Sequence, residues 1–327
     1  MSSPGQRGSL TLHLVNPLLR VLCQSAWGWY YHDLDGMRAF LGRAGAASAL
    51  LGRVAPGCRV VDGQLGGVAT TEFHPQHVEA GRTMLYLHGG GFLLYARNAY
   101  NALLSRLATL LQADVIVPAY RLAPEHPFPA SIDDCLRAYT ALLASGQRPR
   151  ELLVAGESAG ANATLVTLQQ ARRADLPMPA GAVMMSGGFD FTWDSPSIAT
   201  NARRDVAVGA RGLAFLRHWY GPDVEAADPR ISPVFGDFTG LPPLLFQTGD
   251  TEVLRDDSVR AAERARAAGV IARLEVYALA PHAWHQLGTW LPETRTALRQ
   301  IIGFAHTDCG WSPRRAPSTS HPPGSSS

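Results

Sequence analysis

The sequence predicts an α/β fold, in which helices cover both faces of a mostly parallel central sheet. Short apolar segments of strand type alternate with longer amphipathic segments of helical period between residues 82 and 305. Three consecutive glycines follow the first buried strand, and a Gly-x-Ser-x-Gly turn separates a later strand from its helix. The length of 327 residues and the hydrophobic fraction of 46% fit one large domain with an appended element.

The apolar period places the elements of this sheet along the chain. A hairpin is predicted over residues 58–73, where the pattern alternates weakly and glycines are frequent. Buried strands are predicted at residues 82–87, 113–117, 152–155, 182–186, 242–248 and 272–278. Helices are predicted at residues 101–112, 132–143, 161–171, 258–268 and 293–305. Strands that are joined by helices run parallel, so the sheet is predicted to be mostly parallel.

Charge and cysteine content exclude several classes of function. The formal net charge is +2 and no basic run dominates, so no nucleic-acid partner is expected. The four cysteines lack C-x-x-C spacing, which predicts no metal site, no disulfide framework and a reducing, cytoplasmic compartment. Residues 10–23 are apolar but too short to span a bilayer. They predict one or two amphipathic helices that pack on the protein or touch a lid, and they allow a weak peripheral membrane contact.

The turn around Ser158 is the central chemical motif. A short buried strand precedes it, a helix follows it, and Gly156 and Gly160 flank the serine at two residues on either side. Such a sharp turn strains the backbone of the serine, exposes its Oγ above the sheet and aims the positive end of the helix dipole at it. The amide of Ala159, directly after the serine, is then one donor of an oxyanion hole.

The sequence His-Gly-Gly-Gly-Phe at residues 88–92 is the second chemical motif. Glycines without a Cβ let backbone amides approach a ligand closely. A Ser nucleophile also needs a hydrogen-bonded base and a carboxylate behind it, in the chain order Ser, Asp or Glu, His. His282 and His285 follow the last predicted strand. The acidic residues that follow the strand at residues 242–248 are Asp250, Glu252, Asp256 and Asp257.

Together these motifs resemble the hormone-sensitive-lipase-like family of α/β-hydrolases, in its bacterial esterase branch. The resemblance covers residues 83–305 and depends on the segments 88–92, 120–130 and 156–160 and on a histidine near the C-terminus. It implies an α/β-hydrolase fold with a helical cap. The chain has Glu157 where the family often has Asp, and Ala161 where it often has Gly, and we expect neither difference to touch the reacting atoms.

The resemblance also implies roles for individual residues. His282 matches the position of the base after a short loop that contains proline, and His285 is then a packed or exposed neighbour. Glu252, in Glu-Val-Leu, matches the position of the acid, where much of the family has Asp-Pro-Leu. Gly90 and Gly91 supply further amides to the oxyanion hole.

The other acidic residues have simpler explanations. Asp256 or Asp257 fits the N-cap of the next helix. Asp250 orders the turn after Gly249, and it remains the alternative acid.

These assignments predict a serine carboxylesterase that acts on short- to medium-chain acyl esters and needs no metal or organic cofactor. Lipase, lactonase and amidase activities share the same chemistry and stay open. A non-catalytic ligand-binding protein on the same fold is the alternative of a different class, and the presence of His282 argues against it. The resemblance also allows a homodimer.

Three further segments complete the predicted organisation. Residues 1–55 form an N-terminal helical cap segment, and residues 56–306 form the catalytic domain. The alternation of strands and helices breaks at residues 191–233, which predicts a cap insertion. Residues 307–327 are rich in Ser and Pro and are predicted to be disordered. The aromatic residues of the N-terminal segment are expected to pack in the core or to line an acyl pocket; they are Trp27, Trp29, Tyr30, Tyr31 and Phe40.

Overall fold

A mostly parallel sheet of eight strands forms the centre of the computed structural model, which describes residues 8–30, 33–40, 43, 53–79 and 81–311. The strands are β1 (Cys58–Leu65), β2 (Val68–Pro75), β3 (Thr83–Leu87), β4 (Asp114–Pro118), β5 (Leu152–Glu157), β6 (Gly181–Met185), β7 (Leu244–Gly249) and β8 (Ala272–Tyr277). Their spatial order is β1-β2-β4-β3-β5-β6-β7-β8. β2 pairs antiparallel with β1 and β4, and the other pairs are parallel. The predicted α/β fold is confirmed.

Helices cover both faces of this sheet. They are α1 (Leu10–Tyr30), α2 (Asn101–Leu111), α3 (Ala130–Ala144), α4 (Ala159–Arg173), α5 (Pro196–Thr200), α6 (Gly209–Tyr220), α7 (Arg255–Ala267) and α8 (Pro292–Thr307), and residues 34–40 are also helical. Buried side chains of α3, α4 and α7 belong to the core on one face of the sheet, whereas those of α2 and α8 belong to the core on the other. The sheet is thus enclosed between two helical layers.

The central strands are apolar along most of their length because both of their faces are buried, and Glu157 in β5 and Gln247 and Thr248 in β7 are buried polar exceptions. In β3, Leu85 and Leu87 contact one core cluster, whereas Met84 and Tyr86 contact the other. β5, β6 and β7 are likewise buried at every position. Parallel strands between two helical layers read as continuous apolar runs rather than as alternating ones. This is why these strands were predictable from the sequence.

The C-terminal end of the chain differs from the sequence-based prediction, and part of the N-terminal prediction concerns side chains that the structure does not describe. Trp311 is buried, and its Nε1 donates a hydrogen bond to the carbonyl oxygen of Arg150 over 3.1 Å, so the packed chain extends beyond the tail boundary predicted at residue 307. Phe40 is partly buried against the core. The side chains of Trp27, Trp29, Tyr30 and Tyr31 lie outside the described part of the structure, and their predicted roles stay predictions.

Candidate active site

Ser158 lies in the tight turn between β5 and α4. Its backbone has φ 57° and ψ −121°, and such a positive φ is uncommon for a residue with a side chain. A Cβ on Gly160 would lie 1.9 Å from the carbonyl oxygen of Leu87, and one on Gly156 would lie 2.2 Å from the carbonyl oxygen of Gly160. The flanking glycines are therefore required by the close approach of neighbouring backbone, as the sequence predicted.

This close approach predicts a large cost for adding one methyl group. Gly160→Ala forces its Cβ into the backbone of β3, and we expect it to lower the free energy of unfolding by about 3 kcal/mol or more. Gly303 lies inside α8, and no atom of the described residues lies within 4 Å of a Cβ added there. Gly303→Ala should therefore raise stability by about 0.5–1 kcal/mol through helix propensity. Urea unfolding followed by circular dichroism measures both, and equal stabilities would contradict the described turn.

His282 connects the serine to a carboxylate. Its Nε2 lies 2.8 Å from Ser158 Oγ, and its Nδ1 lies 2.8 Å from Oε2 of Glu252. Since the carboxylate is an acceptor, Nδ1 carries the proton in the neutral ring, and Nε2 accepts the hydrogen bond of the serine hydroxyl. The loops after β5, β7 and β8 bring these three side chains together at the carboxyl edge of the parallel strands.

Glu252 is fully buried behind the histidine. Its other oxygen, Oε1, accepts hydrogen bonds from the amide of Gly249 over 2.6 Å and from the hydroxyl of Ser186 over 2.9 Å. Burial raises the pKa of Glu252, and its hydrogen bonds with His282 and Gly249 oppose that rise. Burial opposes the charged form of His282, but the hydrogen bond and charge of Glu252 outweigh it and raise the pKa of the imidazole.

The alternative acid, Asp250, faces a different direction. Its Oδ1 accepts the amide hydrogen of Leu279 over 2.7 Å, and its Oδ2 forms an ion pair with Arg204 over 3.0 Å. Asp250 therefore joins the two loops that carry Glu252 and His282 without a hydrogen bond to the imidazole.

The three amides assigned to the oxyanion hole lie at the same edge of the sheet. Gly90 and Gly91 have φ of 114° and 65°, and Ala159 is the first residue of α4. Among the described residues, no protein acceptor receives the amide hydrogens of these three residues. The side chain of Leu216, in α6, packs directly against Gly91. Within the described part of the chain, the three amides are thus left without a protein acceptor, and Gly91 lies beside a wall that α6 supplies.

The neighbouring polar residues have structural roles. His285 is buried, and its Nε2 lies 2.9 Å from Oε1 of Gln247, so of the two alternatives that the sequence left open, packed or exposed, it is the packed one. The prediction of an N-cap at Asp256 or Asp257 is wrong, because Leu254 occupies that position with no side-chain cap. Asp257 is instead buried and accepts the amide hydrogens of Phe189 and Asp190, which fixes the start of the predicted cap insertion.

Sequence reasoning missed three residues that support the acid and base loops. Ser186 donates to Glu252 and accepts the amide hydrogen of Ala283 over 3.1 Å. Asn201 donates to the carbonyl oxygen of Glu252 over 2.8 Å, and Asp205 accepts the amide hydrogen of Val253 over 2.9 Å. The one available signal was the position of Ser186, directly after a buried strand.

The described residues offer neither a metal site nor a membrane span. Among them, no group of His, Cys, Asp and Glu side chains has an arrangement that could hold a metal ion. None of the described helices combines the length and the apolar character needed to cross a bilayer.

Comparisons with known proteins place this geometry in a family. A family model described as alpha/beta hydrolase fold matches residues 84–286. An esterase of Acinetobacter venetianus is 37% identical over 243 residues, which cover 74% of this chain and 80% of the relative. An acetyl-hydrolase of Streptomyces hygroscopicus is 35% identical over 293 residues, which cover 90% of this chain and 96% of the relative.

A solved structure agrees with these relatives. An esterase from the bacterial hormone-sensitive lipase (HSL) family superposes with a TM-score of 0.83 at 30% identity, over 92% of this chain and 99% of the other. The family model spans more than half of this chain, and the relatives match most of it, so the resemblance found in the motifs is confirmed. The chain belongs to the hormone-sensitive-lipase-like α/β-hydrolases, in their bacterial esterase branch.

Proposed function

We propose that this protein is a serine carboxylesterase that hydrolyses short- to medium-chain acyl esters through an acyl-enzyme at Ser158. The observation that carries the proposal is the unbroken hydrogen-bond relay from Ser158 through His282 to the buried Glu252. The names of the relatives, an esterase and an acetyl-hydrolase, support the same reaction class.

In this mechanism His282 removes the hydroxyl proton while Oγ of Ser158 attacks the ester carbonyl carbon. The carbonyl oxygen becomes an oxyanion, which the amides of Gly90, Gly91 and Ala159 stabilise. The imidazolium, held by Glu252, then protonates the departing alkoxide as the bond from carbon to oxygen breaks. Water attacks the acyl-enzyme in the same way, with His282 as base, and releases the acid and free Ser158.

The proposal is tested with p-nitrophenyl esters of increasing acyl length. We expect rapid hydrolysis of the butyrate and an acylated peptide that contains Ser158 when the reaction is quenched during turnover. Leu216 against Gly91 leaves limited room beside the oxyanion loop, so rates should fall towards long chains. Rates that keep rising through long-chain esters would overturn the short-chain preference. Failure to hydrolyse any activated ester would overturn the esterase itself.

A second candidate function, hydrolysis of esters held in an anionic lipid surface, is supported by the outer face of α1. Five apolar side chains on this face are 58–82% exposed; they are Leu10, Leu14, Leu18, Val21 and Leu22. The opposite face packs Leu12 against Trp284, next to the loop of His282. α1 has no acidic residue, and Arg20 donates to the backbone of Arg204. Arg20 is basic and lies on a helix without acidic residues, so it complements the anionic headgroups to which basic amphipathic helices bind.

Charged substitutions on this face test the lipid contact. Leu14→Glu combined with Leu18→Glu should reduce co-sedimentation with phosphatidylglycerol vesicles by about fivefold or more, because buried apolar area drives such binding. Hydrolysis of soluble p-nitrophenyl butyrate should stay unchanged. Leu110→Glu, at an exposed leucine of α2, is the matched control and should sediment like the wild type. Unchanged sedimentation of the double variant would rule out this surface.

A further inference from the structure

Glu157, the residue before the nucleophile, is a buried carboxylate with an unusual set of partners. Its side chain faces inward and the residue is only 2% exposed. It takes part in none of the ion pairs formed by the described residues. Burying a carboxylate is costly unless hydrogen bonds compensate for it. Its position is therefore explained by the groups to which it is hydrogen-bonded.

One of these groups belongs to the oxyanion loop, which we define as residues 88–92. The hydroxyl of Tyr100 donates to Oε2 of Glu157 over 3.3 Å and accepts the amide hydrogen of Gly89 over 2.9 Å. A Cβ on Gly89 would lie 2.9 Å from Oε1 of Glu157, so the carboxylate also packs directly against this loop. Gly89 immediately precedes Gly90 and Gly91, whose amide hydrogens no acceptor among the described residues receives.

The other group belongs to the base loop, which we define as residues 281–286. Nε2 of Gln286 donates to the same oxygen, Oε2 of Glu157. Gln286 lies in the 3-10 helix Trp284–Leu287, which begins two residues after His282. One oxygen thus accepts hydrogen bonds that originate from both loops, and the backbone that carries it continues into Ser158. The negative charge of Glu157 also acts on the base, since it contributes to raising the pKa of His282.

We propose that Glu157 is a positioning residue for the ester hydrolysis proposed above. It binds the oxyanion loop through Tyr100 and the base loop through Gln286, and it thereby keeps the two loops at a fixed distance from each other. The inference rests on that proposed function. It assigns to Glu157 an effect on the transition state, since displaced amides bind the oxyanion less well while the ground-state substrate is bound as before. From the sequence alone, Glu157 is expected only to replace an aspartate without touching the reacting atoms.

Tyr100→Phe tests the link to the oxyanion loop. It keeps the ring and removes the hydroxyl that joins Gly89 to Glu157. We expect kcat to fall about tenfold and KM to change less than about twofold, because small displacements of an oxyanion donor act on the transition state. Inhibition by butylboronic acid, which mimics the tetrahedral intermediate on Ser158, should weaken by about the same factor. All rates are divided by active sites titrated with paraoxon.

Tyr86→Phe is the matched control. Tyr86 is also fully buried, its ring centroid lies 5.9 Å from that of Tyr100, and its hydroxyl has no hydrogen-bond partner among the described residues. It should leave kcat, KM and boronic acid inhibition unchanged.

Glu157→Asp tests the carboxylate itself, because the shorter side chain reaches neither Tyr100 nor Gln286 fully. It should lower kcat as Tyr100→Phe does, and the double variant should lower kcat little more than either single one, since the two residues act as a unit.

Glu157→Gln keeps the length of the side chain and removes its charge. It should shift the acid limb of the pH profile to lower pH, because the charge of Glu157 raises the pKa of His282.

The outcomes separate this inference from the proposed function. If the wild type hydrolyses the ester but Tyr100→Phe behaves like Tyr86→Phe, the positioning role is wrong and the esterase stands. A loss that disappears after correction for titrated sites would also overturn it, since it reports folding alone. If Tyr100→Phe fails to fold, Glu157→Asp decides through kcat per titrated site and boronic acid inhibition, and wild-type values would overturn the positioning role. If the wild type hydrolyses no ester, both proposals fail.

Discussion

Ser158→Ala is expected to lower kcat for p-nitrophenyl butyrate by about 10⁴-fold or more, because no other hydroxyl is hydrogen-bonded to His282 among the described residues. The free energy of unfolding should change by less than about 1 kcal/mol, since a half-buried hydroxyl is lost without a cavity in the core. Initial rates at saturating ester, together with thermal melting, measure both quantities. Residual activity reports the contribution of the oxyanion amides and substrate binding alone.

His282→Ala provides the matching experiment on the base. Without the imidazole, the serine proton has no acceptor, so the loss should be similar to that of Ser158→Ala. The double variant should lose hardly more than either single one, because residues that act as one unit are not additive. Losses that multiply in the double variant would mean that the two side chains act independently, which contradicts the relay. Activity of Ser158→Ala above about 1% of wild type would contradict the acyl-enzyme at this residue.

Much of the fold was predictable from the sequence because the residue pattern within each segment indicates the structure of that segment. β3, β5, β6 and β7 are buried on both faces and therefore appear as largely apolar runs, whose predicted bounds lie within two residues of the observed ones. The turn at Ser158 was predictable because its glycines are imposed by backbone contacts closer than any side chain permits. The predicted tail began too early, since the contact of Trp311 with Arg150 joins residues 161 positions apart.

The contacts around the candidate site were less predictable because they join distant segments. Ser186 reaches Glu252 across 66 positions, and Gln286 reaches Glu157 across 129. No periodic pattern connects such residues. Asp257 was misassigned for the same reason: a carboxylate in the first turn of a helix suggests a cap, and only the fold shows that it holds the segment at Phe189. Motifs thus predict the groups that could react, whereas the residues that position these groups are identified only in the folded structure.

Glu252→Gln is expected to lower kcat/KM by about 10³-fold, because the amide no longer fixes the proton of His282 on Nδ1 or stabilises the imidazolium. It should also move the pH profile. The neutral imidazole is the active base, so activity is lost as the pH falls through its pKa. Burial lowers the pKa of His282, and the hydrogen bond and charge of Glu252 raise it above its ordinary value. Removing the charge should therefore shift the acid limb of kcat/KM to lower pH.

Asp250→Asn is the matched control for the acid. The amide oxygen can still accept the hydrogen bond of Leu279, and the ion pair with Arg204 that is lost is partly exposed and worth little. We expect kcat/KM to fall less than about threefold and the acid limb to stay in place, since such an exposed pair is screened by solvent. If Asp250→Asn is instead the severe variant, Asp250 orients the base during turnover. The loop after β7 would then have to rearrange when substrate binds, because its carboxylate faces Leu279 and Arg204 in the structure.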